Sequence, residues 1–383
     1  MNTNRVVRER WRELTTLLPR DINETALRMG AIRRRRAIRD GVSLMRLALA
    51  YAYACDSLRE TAAWALTSEV GSLSDVAVLK RLRSAAPWLG FVLLQMLAQR
   101  SRASASGFGD LRVRVVDATC ISRRGSAGTD LRIHMGLDLG ALGIDHLEIT
   151  GPEGGETLAR HPVRKGDVLL ADRGYAHRRG IWTAVSAGAD VVVRIPWRNL
   201  PLLEPDGKPL DILAAARPLQ VGDVADVPVR VAADESAGTG VVEGRLVVLR
   251  KSEEATDRAR RSILAEAKKR GRTPDAGTLE AAAYVFVFTT LSQSRLSAGD
   301  VMELYRFRWQ IELAFKRLKS ITQLDEMAAR DPDLCRAYLC SKLIGALLIE
   351  DLTQGVNTFS PWGCGSPLAP AVEHVPHGLQ GRA

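Results

Sequence analysis

The sequence predicts an α/β fold, a mixed sheet flanked by helices and preceded by a helical N-terminal region. Three observations lead there. Residues 1–105 carry their apolar residues at helical spacing. From residue 111 three strand-like runs follow one another, and strands then alternate with helices. Two further helix-length stretches, 298–320 and 333–353, close the periodic part of the chain.

The elements follow in order. Val42–Ala54 reads as an apolar helix. Leu58–Thr67 and Ser74–Arg83 flank a turn containing Gly71, with helix-turn-helix spacing. Asp56 or Ser57, and Ser72 or Ser74, are available as N-caps. Leu89–Gln99 is another apolar helix, and the small, flexible run SRASASGFG (101–109) marks a domain boundary. Strand 111–116 comes next. Strand 130–139 follows with alternating Leu131, Ile133, Met135, Leu137 and Leu139, and then strand 145–150. A helix at 155–161 leads to strand 167–171, helix 177–187 and strand 190–195. This is the element order of a ribonuclease-H-like fold, in which the ends of the first and fourth strands lie side by side.

About 85 residues separate that unit from YVFVFTTL (284–291), where the strand pattern resumes. They hold strands at 226–232 and 241–250 and a charged helix near 253–270. Helix 298–320 and the apolar helix 333–353 complete the fold. The tail from 357 is rich in Gly, Pro and Ser without periodicity and reads as disordered. The expected domains are a helical, basic region (1–105), an α/β domain (106–355) and an irregular tail (356–383); on the charge and motifs below, the first is the expected DNA-binding region and the second the expected catalytic domain.

Net charge is +10 with a pI of about 9.7, which favours a polyanionic partner. Residues 1–105 hold 18 Arg and Lys against 9 Asp and Glu, so nearly all the excess lies in the first quarter. Arg33, Arg34, Arg35 and Arg36 form an uninterrupted run there, either a solvated surface or a phosphate grip. Five cysteines without a CxxC pair suit a reducing cytoplasm rather than a disulfide framework. Cys335 and Cys340 read as small core residues, and Cys364 with His374 and His377 fits no standard zinc spacing. No run of 18 apolar residues and no signal-peptide pattern appears, so a cytoplasmic protein that neither spans nor binds a membrane is expected.

The stretch YRFRWQIELAFKRLK (305–319) carries the strongest chemical signal. In a helix, Tyr305, Arg308, Glu312, Lys316 and Lys319 fall within about 60° to 80° of one another. Phe307, Ile311, Ala314, Phe315 and Leu318 form the opposite, apolar face. One carboxylate among phosphate-binding groups suits a metal-assisted reaction on a phosphodiester. A plain salt-bridged surface helix is the competing reading, since Arg308–Glu312 and Glu312–Lys316 are both i,i+4 pairs. Two upstream aspartates shift that balance. LRVRVVDAT (111–119) and DVLLADRGYA (167–176) are strand-like runs ending in Asp117 and Asp172. Either aspartate alone reads as a turn or cap residue. Together with Glu312 they supply the oxygen ligands for two divalent cations about 4 Å apart, Mg²⁺ or Mn²⁺ rather than zinc.

At these residues the chain resembles the DDE transposases of bacterial insertion sequences. Asp117, Asp172 and Glu312 resemble their acidic triad. Tyr305-x2-Arg308-x3-Glu312-x6-Lys319 matches the YREK signature of one large group, and Asp172-Arg173-Gly174-Tyr175 matches that group's second-aspartate signature. The resemblance covers about residues 106–345 firmly. It implies cutting of DNA at the element's ends and joining to target DNA, with two metal ions bound by the triad and a homodimer in the DNA complex. It implies further that Tyr305, Arg308 and Lys319 grip transposon-end phosphates, with Arg173 beside them. Trp309 stands next to that stripe as a core residue or as a base-stacking aromatic. A mostly β insertion, 196–283, is expected over the site. Two rivals remain: a decayed or domesticated DNA-binding protein, and a structure-specific nuclease of the same fold.

Overall fold

The computed structural model describes residues 11–354 apart from 12, 56, 104–110, 123–127, 141–142, 310, 313–315 and 317–330. The tail 356–383 and Lys319 lie outside these described residues. The chain divides into two compact units, one built from the N-terminal helices as far as Met96 together with the C-terminal helix, the other containing the sheet.

In the first unit, α1 (Ile22–Arg28), α2 (Gly41–Tyr53) and α3 (Leu58–Thr67) precede the long α4 (Asp75–Ala103). Asp40 and Ser57 cap α2 and α3 by accepting from the amides of Ser43 and Glu60. Gly71 in the α3–α4 turn passes so close to the Ala37 carbonyl that a Cβ would collide with it. The two helices expected at 74–83 and 89–99 are one, running through Pro87. A proline inside a helix costs about 3 kcal/mol. Burial of Leu82, Trp88, Leu89 and Val92 along the same face offsets that cost at roughly 1.5–3 kcal/mol per side chain. The Trp88 indole also donates to Thr25 Oγ1 at 3.2 Å.

The C-terminal helix α10 (Pro332–Gln354), which the sequence assigns to the catalytic domain, packs instead on α2. The Lys342 ammonium lies 4.8 Å and 5.1 Å from the Tyr53 and Tyr338 ring centres, and Tyr51 meets Tyr338 edge-on at 5.8 Å. Aromatic partners on α2 explain the grouping, and no periodicity of 333–353 alone encodes them.

The second unit is a nine-stranded mixed sheet. Its strands are β1 (Arg112–Ile121), β2 (Leu131–Asp138), β3 (Gly143–Thr150), β4 (Asp167–Ala171), β5 (Asp190–Arg194), β6 (Leu202–Leu203), β7 (Val224–Val231), β8 (Val242–Arg250) and β9 (Tyr284–Thr289). Their order is β3-β2-β1-β4-β5-β9-β8-β7-β6, with β1, β4 and β5 parallel and every other pairing antiparallel. The first five strands follow the order expected from the sequence, consistent with a ribonuclease-H-like core. The insertion's strands do not form a separate sheet. They extend this one through β9.

Helices α5 (Arg178–Ser186), α6 (Ile212–Ala216), α7 (Glu253–Lys269), α8 (Ala276–Ala281) and α9 (Ala298–Arg306) accompany the strands. The helix expected at 155–161 is only a 3-10 turn, Leu158–Arg160. Pro162 disfavours helical backbone in His161, which is extended at φ −93 and ψ 116. A buried ionic cluster sits where β1 and β4 begin. Arg112 reaches Asp138 at 2.9 Å, Asp145 at 2.8 Å and Asp167 at 3.0 Å, and Arg114 reaches Asp145 at 2.5 Å.

Candidate active site

The parallel register of β1 and β4 sets Val116 opposite Ala171, so Asp117 and Asp172 are the next residues of neighbouring strands. β1 does not stop at Asp117 as expected but runs on to Ile121, because residues 117–121 stay paired with β2. Asp117 Oδ1 accepts from its neighbour's amide, Ala118 N, at 2.8 Å. Asp172 Oδ1 accepts from Arg173 N at 2.6 Å and caps the 3-10 turn Arg173–Tyr175. The modest cap role is therefore real for Asp172, and its second oxygen remains for other work.

The helix expected over 298–320 is interrupted. α9 ends at Arg306, and Phe307 and Arg308 form a turn with amide bonds to the carbonyls of Leu304 and Tyr305 before helical backbone resumes at Trp309. The break does not scatter the signature residues. The Tyr305 hydroxyl donates to Asp172 Oδ1 at 3.4 Å, Arg308 Nη1 stands 4.0 Å from Asp172 Oδ2, and Arg308 Nη2 holds Glu312 Oε1 at 2.5 Å. Ile311 on the other face is fully buried. Among the expected residues, Asp117, Asp172, Tyr305, Arg308 and Glu312 thus come together.

Electrostatics mark this edge. Burial, with Glu156 and Asp172 adding to it, raises the Asp117 carboxyl to about 6 against the Ala118 amide and Arg308. Burial and the Asp172 charge push the Tyr305 phenol up to about 12, with Arg308 and Arg194 opposing. Glu156 is a residue the sequence reading missed. It comes from an irregular segment with no periodicity, and its carboxylate fills the space a Cβ on Gly174 would need. Gly154-Gly155-Glu156 upstream of Asp172-Arg173-Gly174 was the available hint.

The remaining expected residues fall elsewhere. Arg173 is exposed and borders a cleft toward the insertion. Trp309 is 49% exposed, which removes the core-packing role. Arg33, Arg34, Arg35 and Arg36 are all exposed on the loop between α1 and α2, in the other compact unit.

The donor set suits a hard divalent cation: the groups at this edge are carboxylate oxygens, and Asp117, raised chiefly by burial with Glu156 and Asp172 adding to it, gains from a cation. Among the described residues, no three of His, Cys, Asp or Glu stand together as a ready cage. Glu312 is held by Arg308, while Asp117 and Asp172 adjoin through their strands. No helix among the described residues is long and apolar enough to cross a membrane.

Comparison with known proteins agrees with this arrangement. The family model described as "Transposase DDE domain" matches residues 109–348. The chain is 38% identical over 350 residues to InsL of Escherichia coli K12, named as a transposase of insertion sequence element IS186A, covering 91% of this chain and 94% of that one. It is likewise 38% identical over 351 residues, with the same coverage, to the transposase of insertion sequence element IS421 from Escherichia coli. A shorter match, 26% over 140 residues and 36% of this chain, links it to the transposase of IS1151 from Clostridium perfringens, 28% of which is covered. With a family match across the sheet that carries both aspartates, and relatives matching along nearly the whole chain, this protein belongs to the DDE transposases of bacterial insertion sequences.

Proposed function

We propose that this transposase cuts DNA at the ends of its own insertion sequence and joins them to target DNA, with Asp117, Asp172 and Glu312 holding two divalent cations, Mg²⁺ or Mn²⁺. The observation that carries this reading is the convergence of Tyr305 and Arg308 on Asp172, with Arg308 also gripping Glu312. Divalent cations held there would supply activation of a water or 3′-hydroxyl nucleophile and stabilisation of the leaving oxygen. Asp117, buried beside Asp172 and Glu156, would be one of the carboxylates that hold them. Tyr305 fixes the orientation of Asp172 through its hydroxyl. Arg308 neutralises the acidic edge, and the donors it does not spend on Glu312 suit a phosphate fork. Lys319 and Arg173 add positive charge for the transposon end. The exposed indole of Trp309 offers a stacking face for an unpaired base. Residues 1–105 contribute DNA affinity through their positive charge, and two copies of the chain act on a pair of ends.

The test uses a synthetic duplex with the terminal repeat that flanks the gene. Wild-type protein is expected to nick it only with Mg²⁺ or Mn²⁺, and Asp117→Asn, Asp172→Asn and Glu312→Gln to bind it without cutting. Cleavage at near wild-type rate by any of the three removes that residue from the metal set. Cutting without joining would favour a nuclease, and binding by wild-type protein without cutting a decayed copy.

A further inference from the structure

Beside Asp172, toward the insertion, a cleft of about 280 Å³ opens between the end of β5, α7 and α8. Three cations from three separate segments line it: Arg173 from the turn after Asp172, Arg194 from the end of β5, and Lys251 just past β8. Trp197, Tyr284 and Ile263 supply apolar wall. Several other arginines of this unit carry carboxylate partners. Arg178 pairs with Asp234, Arg217 with Glu280, Arg230 with Glu243 and Arg245 with Asp226. Among the described residues no carboxylate forms an ion pair with Arg173, Arg194 or Lys251. Lys251 spends one donor on the Ala282 carbonyl at 2.5 Å and keeps two. Arg194 also acts on the Tyr305 phenol, opposing its upward shift, which links the cleft to the catalytic edge. Burial, with Arg194 and Arg173 adding to it, holds the Lys251 ammonium down at about 8, so positive charge is crowded here and its compensation is missing.

We propose that this cleft is a phosphate subsite: Arg173, Arg194 and Lys251 together hold one backbone phosphate of the DNA strand whose neighbouring phosphodiester reacts at Asp172. The inference rests on the transposase reading of the catalytic edge and adds to it a specific grip on the insertion side. Two guanidinium forks and an ammonium match the oxygens of a phosphodiester, and the apolar wall keeps water from screening them. Position selects DNA over a free anion. Arg173 directly follows Asp172, so an anion at the cleft mouth lies within reach of the strand undergoing reaction.

The experiment uses full-length protein and terminal-repeat duplexes in which single phosphates around the cleavage point are replaced, one at a time, by neutral methylphosphonates. At one linkage away from the scissile phosphate, the replacement is expected to weaken wild-type binding by about 3- to 10-fold. In Lys251→Gln and in Arg173→Gln that penalty should fall to within about twofold, and Lys251→Arg should restore it. Arg173 is exposed, so its variant tests the cleft without putting the fold at stake. Penalties that are the same at every linkage in wild-type and variant proteins overturn the subsite, while metal-dependent cutting by the wild type leaves the catalytic reading intact. A wild-type protein that neither binds nor cuts these duplexes removes the catalytic reading, and the subsite with it.

Discussion

Arg112 and Asp167 face each other in register at the start of two parallel strands, each five residues ahead of an aspartate of the proposed triad. Their 3.0 Å ion pair, joined by Asp138 and Asp145, pins the alignment on which Asp117 and Asp172 depend. A one-residue slip would turn one aspartate to the other face of the sheet. Arg112→Met takes one guanidinium from three buried carboxylates, of which Asp145 and Asp167 keep Arg114, and is expected to cost about 3–5 kcal/mol in chemical denaturation. Wild-type stability in that variant would show that the cluster does not fix the register.

Arg308 separates a catalytic grip from an ordinary surface pair. Arg308→Ala is expected to reduce end cleavage and joining by at least about tenfold while changing stability by no more than about 1 kcal/mol. Arg308→Lys keeps the charge without the planar fork, so partial activity is expected. Full activity in both variants would return the Arg308–Glu312 pair to the status of a plain i,i+4 bridge.

Gly174 is small because Glu156 occupies the place of its side chain. Gly174→Ala should therefore lose about 1–3 kcal/mol by overpacking. Combining it with Glu156→Ala should recover most of that loss, a coupling that a thermodynamic cycle measures directly. Additive losses would mean the two residues do not meet.

The four exposed arginines 33–36 test the electrostatic role of the first unit. Replacing all four by Gln in the intact chain, where α10 still packs on α2, should leave stability within about 0.5 kcal/mol. The dependence of log K on log salt for DNA binding should flatten by up to about 3 to 4. An unchanged slope would show that these arginines touch no phosphate.

Three imidazoles make the second unit acid-sensitive. Burial, with Arg160, Arg132 and His146 adding to it, lowers His134 to about 4. Burial and Arg114 lower His146 to about 4 against Asp145, and burial drives His161 well below its ordinary 6.5. Because the folded values lie below the unfolded one, the unfolded chain binds more protons as pH falls below 6.5. The neutral rings therefore contribute stability that is present above about pH 6.5 and lost as pH falls through their folded values, near 4 for His134 and His146, up to roughly 3 kcal/mol for each of these two. The melting temperature is expected to fall across that window, and less so in His146→Phe. A flat profile would mean the rings are solvated.

The parts legible in the sequence were those written in local pattern. The apolar run Val168–Ala171 ends at Asp172, and the run before Asp117 pairs with it in the expected order. The spacing of Tyr305, Arg308 and Glu312 survived even though their helix breaks, because the turn at Phe307–Arg308 still advances the chain by nearly helical steps. What stayed hidden depends on partners distant in sequence. Pro87 reads as a helix stop until Trp88 and its neighbours are seen buried. Glu156 reads as one more polar residue of an expected helix until Gly174 makes room for it. The attachment of α10 to α2 depends on aromatic rings almost 300 residues away in sequence.

The position of β9 has a consequence for how the enzyme is made. Both aspartates have been synthesised by the end of β5, yet the free edge of β5 waits for a strand that emerges about 90 residues later. Phe288 of β9 pairs with Val193 on one side and Leu246 on the other, so one late strand closes two open edges together. Such pairing is slow and non-local, and until it forms the nascent chain exposes sticky strand edges. A ribosome that stalls before residue 284 therefore releases a chain with both aspartates, without Arg308 and Glu312, and prone to clump.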